Sequence, residues 1–230
     1  MTDRPIIFSA PMVRALLREA EAPGTGKTQT RRVLRDQPIA HPSLGLPWLA
    51  TRRITFRDEA EARRLLPEIA PYLPGDRLWV RENWWEVTAA DGPQAVEGGH
   101  SRGRTGAFFR ADHPDFPPCP HYRDRPSIHM PRWASRITLL VEAVRVERLQ
   151  DISEADAIAE GIRQDRDGAK TFIGRKGPGR WVTPWPTARE AYEDLWTHLH
   201  GPDAWASNPW VAAITFRPVQ GNIDSLGDRP

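Results

Sequence analysis

The chain has 230 residues, 39% of them hydrophobic, enough for one large domain or two small ones with a core of their own. No stretch approaches the roughly 20 consecutive apolar residues of a membrane helix, and MTDRPIIFSAP lacks the layout of a signal peptide, so a soluble cytoplasmic protein is expected. The single cysteine, Cys119, excludes an internal disulfide and fits a reducing compartment, while a formal charge of +2 neither demands nor forbids nucleic acid.

The first predicted element is a helix from Ser9 to Glu21, with Ser9 at the N-cap, Pro11 in the first turn, and Met12, Leu16, Leu17 and Ala20 on one apolar face. Ala22-Pro23-Gly24-Thr25-Gly26 breaks it. A helix around Asp58 to Leu66 follows, then the turn Pro74-Gly75-Asp76 and a strand, Arg77 to Arg81, in which Leu78 and Val80 alternate with Arg77, Trp79 and Arg81. Residues 89 to 126, rich in Gly, Pro, Asp and His, read as a long excursion with one short strand at Ala107 to Arg110, the kind of insertion that often serves as a lid. Ser135 to Leu149 carries the strongest strand signal. A short helix follows, opened by Ser153 and Asp156 and ended at Gly161. Thr187 and Glu190 form a capping box ahead of an amphipathic helix through Tyr192, Leu195, Trp196 and Leu199, and Trp210 to Val219 closes the chain as a strand. Strands and capped helices without βαβ alternation predict an α+β fold with a curled antiparallel sheet.

Only three of the 32 basic residues are lysine, namely Lys27, Lys170 and Lys176. Arginine stays charged in proteins, whereas lysine can be shifted towards neutrality and act as a base, so Lys27 beside Thr28 and Thr30 asks for a chemical reason. The plain alternative is a solvated surface lysine. Pro23-Gly24-Thr25-Gly26-Lys27-Thr28 imitates a phosphate-binding P-loop, but Glu21 stands where the first glycine belongs and a helix, not a strand, precedes it. Nucleotide hydrolysis is therefore not expected.

Gly26-Lys27-Thr28-Gln29-Thr30-Arg31-Arg32 resembles the signature G-x-K-x-x-[E/T]-x-R of the ASCH family of PUA-like domains, with Lys27, Thr30 and Arg32 in place and Thr25 where the family has Gly. Pro74 to Val80 is similar to the family's barrel strand, Leu149 to Gly161 to the strand-to-helix segment after it, and Pro209 to Phe216 to its last strand. WVRENWW and PSIHMPRWASRI resemble larger phage- or prophage-type members. The resemblance implies one PUA-like β-barrel domain over residues 1–230, with peripheral helices and elaborations at about 36–70, 89–126 and 163–200. It also implies an amidohydrolase removing the acyl group of N4-acetylcytidine in a cleft gathering Lys27 as base, Thr30 as nucleophile, Arg32, and Glu160 as orienter or proton shuttle.

Glu160 is odd on its own account, because the end of a helix disfavours an anion by about 0.3–1 kcal/mol unless a cation stands near; a solvated glutamate at a frayed end is the alternative. The planar forks of Arg32 and Arg31 suit a carbonyl or phosphate, although Arg31 and Arg35 can equally be solvated. Glu82 and Asn83 are candidates for reading a base edge, with Trp84 and Trp85 as stacking surface, against the ordinary fate of tryptophan in a core. His113, Cys119, His121 and His129 show no ligand-pair spacing, so no metal or cofactor is expected. The partner class is a modified pyrimidine nucleoside or RNA. The competing reading is a non-catalytic module binding RNA or a modified base, in which Arg31, Arg32, Arg35 and the Arg123 to Arg136 stretch contact phosphates.

Overall fold

The computed structural model describes residues 2–88, 100–102, 105–115, 122–165, 171–175 and 183–227. Its first strands are β1 (Asp3–Ile7), β2 (Gln29–Val33), β3 (Ile39–Ala40), β4 (Pro47–Leu49), β5 (Ile54–Thr55), β6 (Arg77–Arg81) and β7 (Trp84–Thr88). After them come β8 (His100–Arg102), β9 (Thr105–Phe109), β10 (Tyr122–Arg125), β11 (Ile137–Arg148), β12 (Arg163–Gln164), β13 (Phe172–Ile173) and β14 (Trp210–Gln220). The α-helices are α1 (Ala10–Glu21), α2 (Glu59–Leu65), α3 (Glu154–Ala159) and α4 (Ala188–His200). The chain divides into two compact units, the first made of residues 1–27, 75–141 and 216–230, the second of residues 28–74 and 142–215.

In the first unit β1 runs parallel to β6, Ile6 opposite Val80, and β6 is antiparallel to the start of β11, Leu78 opposite Leu139. Trp79 is buried between Leu78 and Val80, with the Arg81 guanidinium 4.7 Å from its ring, so this strand is covered on both faces instead of alternating. Strands β8, β9 and β10 of the 89–126 excursion join β7 in one sheet, ordered β10-β7-β9-β8 and antiparallel throughout. Its apolar cluster joins Trp84, Ala107 and Phe109 to Met130 and Ala134.

Helix α1 buries Val13, Ala15, Leu16 and Glu19; of the expected face Leu16 is buried, while Met12, Leu17 and Ala20 are only half-buried. The buried charge among them is Glu19. Its carboxylate accepts the Gly24 and Gly26 N–H groups at 2.9 and 2.8 Å, satisfying loop amides that would otherwise lack partners, and so is drawn inward. In the P-loop lookalike, this internal carboxylate takes up amides that a phosphate would need.

The second unit is built on β2 paired antiparallel with β14, from Val33 opposite Val211 to Gln29 opposite Thr215. On its other side β14 neighbours β11, and where these two strands leave the unit's sheet the Leu149 N–H donates to the Pro209 carbonyl at 2.9 Å. Trp210 to Ile214 are buried without a break, as expected of a strand covered on both faces. Of the expected caps, Ser153 and Thr187 accept from the Asp156 and Glu190 N–H groups, whereas Ser9 stands at the N-cap of α1 without a side-chain cap hydrogen bond; Asp58 caps α2 by accepting from the Glu61 N–H. Glu154 of α3 accepts the Ala188 N–H at the start of α4 at 2.8 Å, fastening the two helices together. Gly174 lies so close to α4 that a Cβ there would stand 2.2 Å from the Ala191 carbonyl oxygen.

The fold is thus α+β with mostly antiparallel sheets. The expected curled antiparallel barrel is not what the described residues form: closure requires the first and last strands of a sheet to pair, and the five-, four- and three-stranded orders each begin and end on strands that do not. Among the described residues no helix is long and apolar enough to cross a membrane.

The loop leading to Lys27 offers a direct test. A Cβ on Gly26 would stand 2.1 Å from the Ala15 carbonyl oxygen, a backbone atom with little freedom to retreat. Gly26→Ala should therefore destabilise the protein by at least about 1–3 kcal/mol, measured as a lowered urea midpoint. Gly24→Ala, at a position with open space but φ +85°, should cost about 1 kcal/mol through backbone strain instead.

Candidate functional site

Lys27 belongs to the first unit, while Thr30, Arg31, Arg32 and Glu160 belong to the second. Lys27 is 1% exposed, among the largest fully buried side chains, and is not a solvated surface lysine. Its N–H donates to the Ala15 carbonyl at 3.2 Å, one α1 turn before Glu19, and its Nζ lies 6.0 Å from the centre of the Phe8 ring.

In the second unit β2 sets the register of three candidates. Thr30, opposite Ile214, is 5% exposed. Arg31, the next residue, has no exposed side-chain surface. Its Nη2 donates to Glu147 at 2.6 Å and Asp156 at 3.2 Å, and its Nη1 to the Gln29 side chain at 2.6 Å and Glu160 at 3.4 Å. It is therefore neither solvated nor turned outward. Gln29 donates in turn to Asp156 at 3.0 Å, and Arg145 donates to the same carboxylate at 2.9 Å. This acidic cluster is occupied by guanidinium groups.

Glu160 is the C-cap residue of α3 and 4% exposed, which rules out the frayed, solvated alternative. Arg31 supplies the cation that the helix end calls for. Tyr192, buried on α4, lies within reach of the Glu160 charge. The Thr28 N–H donates to the Ala159 carbonyl at 2.9 Å, tying the end of α3 to the residue before β2.

The electrostatics follow burial and charge. Burial alone would lower the Arg31 pKa, but the charges of Glu160 and Glu147 leave it raised. Burial is decisive at Arg32, whose pKa is lowered although Tyr72 and Glu160 oppose the shift. Burial first, then the Arg32 charge, lowers His200 and favours its neutral form. Tyr192 is pushed well above its ordinary value by burial and then by the Glu160 charge, so it remains a phenol able to donate.

The remaining candidates lie in the first unit. Glu82 is 1% exposed and receives Arg136 Nε and Nη2 at 2.9 and 3.1 Å; Arg136 also holds Asp112 and lies 3.9 Å over the Phe109 ring. Burial raises the Glu82 pKa despite those two bonds. The Asn83 side chain accepts the Ser127 N–H at 2.9 Å. Trp84 and Trp85 are 2% and 4% exposed, Trp84 edge-on to Trp133 and Trp85 stacked with Phe108. The structure gives all four packing or hydrogen-bonding work within this unit. His113 stacks on Phe108, while Cys119 and His121 lie outside the described residues.

Sequence reasoning missed Tyr192 and Glu147 as polar partners of the cluster and Glu19 as the anchor of the Lys27 loop. Tyr192 sat on the apolar face of a predicted helix, where a tyrosine reads as core; the absence of a second polar residue on that face left no signal. Comparison with protein-family models, with curated proteins and with solved structures finds no match to this chain.

Two outcomes follow from these charges. At Asp156, burial pushes the carboxyl up, but the Gln29 hydrogen bond and the Arg145 and Arg31 charges outweigh it and hold the pKa below its ordinary value. Its contribution to stability is thus complete above an unfolded-state value of about 3.9 and is lost as pH falls through the depressed one. Urea midpoints measured from about pH 5 down to about pH 3 should fall, and Asp156→Asn should flatten part of that fall. Arg136→Ala, which strands buried Glu82, should cost about 3–5 kcal/mol, whereas Arg136→Ala combined with Glu82→Leu should recover much of the loss in the same measurement.

Proposed function

We propose that this chain is a metal-independent ASCH-type amidohydrolase of the PUA-like class, acting in the cytoplasm on N4-acetylcytidine-type nucleosides. The observation that carries the reading is the burial of Lys27. In a chain that otherwise uses arginine almost throughout, this lysine is 1% exposed, on a loop held by Glu19 and closely packed at Gly26. A buried ammonium is expensive to keep charged, and amines removed from water are the ones that serve as bases. The antiparallel pairing of β6 with β11 and of β2 with β14 supports the PUA-like assignment, since both ladders contain strands matching the family's segments.

The chemistry assigned to these residues is an acyl transfer. Lys27 Nζ takes the proton of the Thr30 hydroxyl as its oxygen adds to the amide carbonyl carbon. The bond from that carbon to N4 then breaks, N4 receives the proton directly from Lys27 or through Glu160, and cytidine leaves an acyl ester on Thr30. Water adds to the ester, giving a proton back to Lys27; the carboxylic acid departs and Thr30 recovers its proton. Glu160 orients Lys27 or passes the proton to the leaving amine.

Lys27→Arg keeps the charge but removes a base able to work near neutral pH. Cytidine release from N4-acetylcytidine should drop at least about 100-fold in this variant, and Thr30→Ala should match it if Thr30 is the nucleophile. RNA binding at two salt concentrations, measured alongside, should change little in Lys27→Arg. Wild-type protein that binds RNA firmly but turns over no acylated cytidine would replace this reading with the binding module.

A further inference from the structure

Apart from the Arg31 cluster, the second unit holds a cavity of about 220 Å³ with an apolar floor of Leu34, Leu49, Leu66 and Pro71. Its walls are pinned pieces of backbone. The Leu34 N–H donates to the Trp210 carbonyl at 3.0 Å, and the Gln37 side-chain amide donates to the Leu34 and Trp210 carbonyls at 2.7 and 2.9 Å. Arg35 and Asp36, which both line the cavity, therefore sit in a turn fastened to β14. Leu49 ends β4 opposite Ile54, and Arg52, also in the lining, closes the helical turn Ala50–Arg52 that follows. Leu66 opens a second such turn, Leu66–Ile69. The three leucines are buried, Asp36 is half-buried, and Arg35 and Arg52 are exposed.

Among the described residues the side chains of Arg35, Asp36 and Arg52 have no hydrogen-bond or ion-pair partner, whereas Arg63 and Arg64, on α2 just before Leu66, hold Asp151 and Glu61. A lone solvated arginine needs no explanation. Two guanidiniums and a carboxylate around one apolar floor are different, because together they describe a complementary molecule. The guanidinium forks call for a carboxylate, Asp36 for a cation, and the leucines for a compact apolar body. At about 220 Å³ the space is smaller than the roughly 300–1,000 Å³ of a typical ligand pocket, so the molecule is small. An inorganic anion would leave the leucines uncovered, and a simple carboxylic acid would leave Asp36 without a cation. We propose that this cavity binds a free α-amino acid with an apolar side chain, such as leucine. Its carboxylate spans Arg35 and Arg52, its ammonium group donates to Asp36, and its side chain covers Leu34, Leu49 and Leu66. None of these residues takes part in the amide hydrolysis assigned above, so the site stands or falls by itself.

The test is a set of titrations of the full chain, followed by protein NMR. The probes are leucine, isocaproate (leucine without its ammonium group), isoamylamine (leucine without its carboxylate) and inorganic phosphate. Leucine should saturate one site and bind at least about 10-fold tighter than either truncated form, the margin set by a lost hydrogen bond between charged groups. Arg35→Ala and Arg52→Ala, each checked by melting temperature, should weaken leucine about 10-fold. Asp36→Asn should weaken leucine by a similar factor without weakening isocaproate. Isocaproate binding as tightly as leucine to the wild type, or phosphate binding with the same dependence on Arg35 and Arg52, would mark a general anion site and overturn the assignment. So would the absence of saturable leucine binding, or leucine binding that none of the three substitutions changes.

Discussion

A guanidinium with no exposed surface organises the second unit. Arg31 projects from β2 and meets Glu147 of β11, Asp156 inside α3 and Glu160 at its end, so one side chain connects two strands to a helix. Buried ion pairs contribute little net stability because desolvation consumes most of the attraction, yet removing one partner is severe. What such a group supplies is register. A slip of β2 by one residue would turn Arg31 to the opposite face and leave three acidic side chains without their common cation. Thr30 and Arg32, its neighbours, are consequently fixed as well.

The first unit fixes Lys27 by a different device. Glu19 is bent inward to satisfy the amides of Gly24 and Gly26, and Gly26 lies against α1 where no side chain fits. A carboxylate and a glycine thereby set the backbone immediately before the lysine. The loop resembles a phosphate cradle in composition, but its anion belongs to the protein. Both units thus use a buried charge to hold a short polar segment in place, and both segments belong to the stretch Gly24 to Arg32.

Local signals were legible in the sequence. Helix caps depend on residues three apart, so Ser153 and Thr187 could be read without knowing the fold. Strands β6, β11 and β14 were equally plain, since β-branched and aromatic runs bounded by turn residues have few other uses. Polar partnerships were not. Arg31 finds Glu147 and Glu160 116 and 129 residues further on, and no local pattern announces such a pairing. The same blindness hid the inward turn of Glu19, because the N–H groups that donate to it lie in the loop beyond the helix. Trp84 and Trp85 were ambiguous for another reason: a ring that can stack on a base can equally stack on Phe108 or meet Trp133 edge-on, and composition does not distinguish them.

Lys27, Thr30 and Glu160 can play the parts assigned to them only if the wild-type chain hydrolyses an acylated cytidine. Purified protein incubated with N4-acetylcytidine, with cytidine and acetate followed together by chromatography, measures this directly. Equal amounts of both products, formed catalytically and unaffected by a metal chelator, are the predicted result. Neither product appearing at enzyme concentrations equal to the substrate would contradict the account.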